Sequence, residues 1–157
     1  MSDLVRERIS SVLSGRKATY LVSSAACGAD LLALEAAREL NIGTRIVLPF
    51  ARDIFRETSV ADRPGDWGNS YDRITFDAER AGDLLLLGCS KDDSAAYAAT
   101  NKAILDEATT IARSSGLPLA AAIVWDGKSR GPDDLTEQFQ KGALERQLPV
   151  IEVSTLK

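Results

Sequence analysis

Eight consecutive residues, Ser23-Ser24-Ala25-Ala26-Cys27-Gly28-Ala29-Asp30, hold the densest chemistry in this chain. Their small side chains let a ligand approach the backbone, and an amphipathic segment follows directly. A helix starting at Gly28 presents free N–H groups and the positive end of its dipole, which favour an anion. Ser24, Ala26, Cys27, Gly28, Ala29 and Asp30 are therefore candidate binding residues. A helix N-terminus also favours a thiolate, so Cys27 is a candidate reactive thiol. Cysteine equally packs as a small buried residue. Asp30 suits a ribose hydroxyl, and equally suits the first helical turn through the dipole.

Other candidates lie further along. Glu35 is a carboxylate for N-glycosidic cleavage, or a solvated residue on the charged helix face. Arg52, Arg56 and Arg63 are the planar donors that clamp phosphate, or solvated surface residues. Trp67 suits stacking on a base, whereas Tyr71 falls on the apolar face of its helix. Asn101 offers an amide to a base edge or ribose, or is a polar helix residue without a role. Pro49 and Phe50 begin a loop that leaves the end of a strand. Catalytic residues are not assigned.

The rest of the composition removes whole classes of chemistry. There is no histidine, which excludes Ser-His-Asp and Cys-His catalysis and the usual zinc sites. Nineteen basic residues against 23 acidic give a net charge of −4, against an extended nucleic-acid surface. No apolar run approaches the roughly 20 residues of a membrane helix, so no membrane partner is expected. The charged start lacks a signal-peptide core, and two distant cysteines suit a reducing compartment. The expected setting is cytoplasmic. Neither G-x-x-x-x-G-K-[ST] nor G-x-G-x-x-G occurs, so neither a P-loop nor a dinucleotide fingerprint is present. No metal and no resident cofactor is expected.

The elements that must position these residues alternate. Apolar runs at 19–23, 45–48, 84–87, 119–125 and 150–153 read as strands. They are nearly continuous in apolar residues, as strands covered on both faces are. Helical periodicity marks 3–14, 28–40, 69–80, 93–114 and 133–146, with a short helix and an ordered loop within 51–70. The alternation predicts an α/β fold: a Rossmann-like three-layer sandwich on a mostly parallel five-stranded sheet, as a single domain. Ligands in such sheets bind beyond the carboxyl ends of the strands.

The string from Ser23 to Ala36, followed by Val47-Leu48-Pro49-Phe50 and Phe55-Arg56-Glu57-Thr58-Ser59-Val60, resembles the SLOG superfamily. More narrowly, it is similar to the SLOG-like domains of bacterial cyclase-associated signalling proteins. The resemblance implies a Rossmann-like sensor of a nucleotide-derived small molecule. It implies that Gly28, Ala29 and Asp30 hold the phosphate or ribose part, and it puts Arg56 first among the arginines. It also implies a homo-oligomer or a fused signalling domain as partner. Family members usually open with a strand before the first helix. This chain starts almost at the helix, which implies that the first strand is missing and the domain was cut from a longer chain. The edge beside Thr19 to Ser23 should then be open. The phosphoribohydrolase motif Pro-Gly-Gly-x-Gly-Thr-x-x-Glu is absent. Hydrolysis of an N-glycosidic bond is the enzymatic alternative, and an assembly module that mainly dimerises is the third reading.

Overall fold

The computed structural model describes residues 2–61 and 64–157. Helices and strands alternate through the chain: α1 (Ser2–Gly15), β1 (Tyr20–Ser23), α2 (Ala29–Glu39), β2 (Gly43–Leu48), α3 (Arg52–Ser59), α4 (Gly68–Ala81), β3 (Leu84–Leu86), α5 (Ala96–Ser115), β4 (Ala121–Trp125), α6 (Leu135–Glu145) and β5 (Val150–Ser154). Every strand expected from the apolar runs is present. The class is α/β, with parallel pairing throughout.

The single five-stranded sheet is not. The strands form a three-stranded sheet in the order β1-β2-β3 and a separate pair, β4-β5. β1 and β4 each use one edge only, and a cavity of about 840 Å³ runs between them. Apolar periodicity reports which residues are buried, not which edges meet. The outermost run also differs from a doubly covered strand: Leu85 and Leu86 of β3 are 37% and 44% exposed.

Local chemistry explains the register. Tyr20 pairs across from Gly43, and a Cβ on Gly43 would lie 2.8 Å from the Tyr20 ring. Glycine there lets the ring lie flat over the neighbouring strand. α1, α2 and α4 cover one side of the strands, while α5 and α6 pack on each other and cover the other. Gly142 of α6 sits so close to α5 that an added Cβ would be 3.1 Å from Leu105 Cδ1. The main core gathers Leu31, Leu34, Ile46, Leu48, Phe55 and Tyr71. Phe55 stacks on Tyr71 with ring centroids 6.1 Å apart, tying α3 to α4. The Tyr71 hydroxyl donates to the Arg52 carbonyl at 2.7 Å, so the phenol is buried without losing its partner. Burial pushes that phenol well above its ordinary pKa.

Phe55 anchors the helix whose end touches the candidate site. Phe55→Ala should cost about 3–5 kcal/mol of unfolding free energy. Glu57→Ala, exposed on the same helix, should stay within about 0.5 kcal/mol. Urea titration measures both, and a loss below about 1 kcal/mol for Phe55→Ala would contradict the packing described.

Candidate functional site

β1 ends at Ser23 and α2 begins at Ala29, so Ser24–Gly28 must turn the chain back over the sheet. Gly28 makes the turn at φ 93° and ψ −126°, a region essentially reserved for glycine. Asp30 then reaches back along the turn, and its Oδ2 accepts from the Ala26 N–H at 3.2 Å. The next amide, Cys27 N–H, donates to the Ser59 carbonyl at 3.0 Å, docking the end of α3 on the turn. The Ser59 hydroxyl in turn lies 2.9 Å from the Tyr97 hydroxyl, and Thr58 Oγ1 is 3.5 Å from the same atom. Asn101 follows one helical turn after Tyr97 on α5, and its Nδ2 donates to the Leu135 carbonyl of α6 at 3.1 Å.

These residues wall the carboxyl-end mouth of the cavity between β1 and β4. Ser24, Ala26, Cys27, Ala29, Asp30 and Asn101, all expected from the sequence, line it. Thr58, Ser59 and Tyr97 line it as well. No motif marks them in the sequence, because a hydroxyl at a helix end has no pattern of its own. The available signal was the Thr-Ser pair closing the Phe55–Val60 string.

Other expected members stand elsewhere. Pro49 and Phe50 are buried in the core, and Phe50 meets the Tyr97 ring edge-on at 5.8 Å. They support the site from behind rather than line it. Arg56 does not line the cavity: its Nε and Nη2 hold Asp72 Oδ1 and Oδ2 at 2.9 and 3.2 Å. Its guanidinium also lies over Gly68, where a Cβ would come within 2.4 Å of Nη2. Arg56 thus faces Asp72 of α4, the next helix in the chain, and not the Cys27-Gly28 turn beside which the phosphate clamp is expected. Arg52 is likewise committed to Thr75, at 3.1 Å, and to the Phe76 ring. Arg63 lies outside the described residues. Glu35 is half-buried rather than solvated, accepting from Ser70 Oγ of α4 at 2.5 Å, and it does not line the cavity. Trp67 packs against the core with its indole N–H on the Pro64 carbonyl.

Part of the expected phosphate cradle is also spent. Two of its backbone donors, at Ala26 and Cys27, are taken by Asp30 and Ser59. What remains at the start of α2 has no side-chain cap. The cations that line the cavity, Arg16 and Lys17, precede β1 and so stand at its opposite end. Among the described residues no group of three His, Cys, Asp or Glu is placed to hold a metal ion, and no helix is long and apolar enough to cross a membrane.

Electrostatically the mouth centres on Asp30. Desolvation dominates and raises its carboxyl above the ordinary value of 3.8, against the opposing pull of the Ala26 N–H and the Ser23 hydroxyl. The folded state thus holds the Asp30 proton to higher pH than the unfolded chain does. Stability from this group is complete below pH 3.8 and is lost as the pH rises through the folded value. Asp30→Asn cannot ionise, so it should escape that loss. The stability difference between variant and parent should grow in the variant's favour above pH 3.8, then level off. Asp106 and Asp134, whose carboxyls are lowered by their hydrogen bonds, act oppositely in both proteins and cancel. Urea midpoints across pH 3 to 8 (roughly the span over which carboxylates titrate) measure the difference, and a flat difference would contradict the desolvated carboxyl. In comparisons with known proteins, no family model and no curated protein matches this chain.

Proposed function

We propose that this domain is a binding module for a nucleotide-derived small molecule, serving as a sensor in a cytoplasmic signalling protein. It grips that ligand chiefly through the hydroxyl-bearing nucleoside part. The observation that carries the reading is the convergence of Asp30, Ser59, Tyr97 and Asn101 on one cavity mouth beyond the carboxyl end of β1. Parallel α/β sheets bind ligands at that position, and an apolar cavity with a few convergent polar groups suits a small molecule.

The groups present define the ligand's chemistry. A carboxyl, two hydroxyls and an amide pair with ribose hydroxyls and base edges. Among the described residues no cation lines this end, and the first N–H groups of α2 are what would meet a phosphate. Asp30 is also the carboxyl in the mouth that a proton-transfer step would use, because desolvation prepares such a group as an acid. That supports N-glycosidic hydrolysis as the second reading. Glu35 has no part in it.

Calorimetry with nucleosides, nucleoside monophosphates, ADP-ribose-type compounds and cyclic nucleotides tests the proposal. At least one should bind, and Asp30→Asn and Tyr97→Phe should each weaken it by roughly 10-fold, the loss of about 1.4 kcal/mol. Glu35→Gln should leave affinity unchanged. No binding at millimolar concentration, or binding indifferent to both cavity variants, would overturn it. Chromatography of the same mixtures should show no free base. Multiple-turnover release that vanishes in Asp30→Asn would replace the sensor with the hydrolase.

A further inference from the structure

The cavity extends well past its polar mouth, and its walls have the form of a missing strand. Successive residues of β1 from Tyr20 to Ser23 line it, and so do successive residues of β4 from Ala121 to Val124. Side chains alternate faces along a strand, so a space touched by every residue lies along the strand's edge. The edge is open in hydrogen-bonding terms. Thr19 O accepts from Gly43 N, so the N–H and C=O of Tyr20 and Val22 point away from β2, into the cavity. Ala121 N donates to Pro149 O and Trp125 O accepts from Thr155 N, so those of Ala122 and Val124 point away from β5, into the same space.

The other walls are helices. Ile9, Val12 and Ala33 close one face, and Ile104, Ala108 and Phe139 close the other. Packed interiors tolerate few voids larger than a water molecule, and unpaired backbone groups away from water are costly. Exposed edges are usually blunted by charge or proline. Neither β1, Tyr-Leu-Val-Ser, nor β4, Ala-Ala-Ile-Val-Trp, carries any.

We propose that the slot between β1 and β4 accepts an extended apolar strand of about five residues, donated by a partner polypeptide, which joins the two sheets into one. The complementarity is that of backbone donors and acceptors. Only an extended main chain offers both of its edges at once, one to Tyr20 and Val22 and the other to Ala122 and Val124. The length follows from the walls, of four and five residues at about 3.3 Å each. Helices on both faces require consecutive apolar, β-branched side chains rather than alternation. This inference is independent of the nucleoside reading, since the strand lies along the slot and the ligand at its mouth.

The test uses the whole chain and a probe of about five consecutive valines and isoleucines flanked by lysines. The probe is supplied as a free peptide, and also fused ahead of the chain through a flexible linker that gives a millimolar effective concentration. Hydrogen exchange is followed at the amides of Tyr20, Val22, Ala122 and Val124. The fused strand should slow all four by about 100-fold, matching occupancy at a hundred times the dissociation constant, and raise the melting temperature. The free peptide should do the same in proportion to its concentration. A proline at the probe's centre, which removes a ladder donor, should abolish most of the effect. Ala108→Phe, which fills the slot from α5, should abolish it without unfolding the chain, as circular dichroism reports. Unchanged exchange with the fused probe overturns the proposal. So does equal protection by the proline probe, which would mark the cavity as a general apolar pocket. Loss of nucleoside binding would leave this outcome unaffected.

Discussion

The path from β1 into α2 has five residues, Ser24 to Gly28, in which to reverse, and the remainder of the site is arranged around how it does so. Gly28 takes a backbone conformation that a Cβ would strain, and the helix starts without a side-chain cap. Asp30 supplies the restraint instead, reaching back to the Ala26 amide. With Ala26 held from within, the Cys27 amide is left facing the end of α3, where the Ser59 carbonyl meets it. One glycine and one carboxylate therefore set where α2 begins, where α3 ends, and which hydroxyls face the cavity.

That arrangement has an energetic consequence. A carboxyl used as a turn brace is removed from water, and one backbone amide with one hydroxyl does not offset desolvation completely. Burial of this structural carboxyl raises the Asp30 pKa. The same contact uses up donors that a phosphate would need. The mouth so built presents hydroxyls, an amide and a carboxyl. The aromatic pairs Phe50–Tyr97 and Phe55–Tyr71 hold the opposite wall, fixing Tyr97 with its hydroxyl toward Ser59.

Away from the mouth, the two sheets stand apart, with α1, α2 and α4 on one side and α5 and α6 on the other. α5 crosses from β3 to β4 and covers β1 and β2 on the way. Its apolar side chains line the gap without filling it. Strands in such a position have pairing on one edge only, and their amides open at lower cost than those of β2, which is paired on both sides. The polar mouth thus lies at the carboxyl end of β1, while the strand's free edge faces the gap.

Read alone, the amino-acid order determined the elements and their class. Continuous apolar runs located all five strands, helical periodicity located the helices between them, and the small-residue turn at Ser23–Asp30 lines the mouth of the cavity. These are local properties, fixed by spacing and by the conformational range of glycine. Partners distant in the chain were decided only by the tertiary structure. Arg56 faces Asp72 rather than a ligand, Glu35 faces Ser70, and Pro49 and Phe50 are core. Thr58 and Ser59 reach the cavity because α3 docks on the turn. The division of the sheet was decided there too. Side-chain pattern says which faces of a strand are buried, but edges are formed by backbone groups common to every residue except proline, and those leave no mark in the pattern.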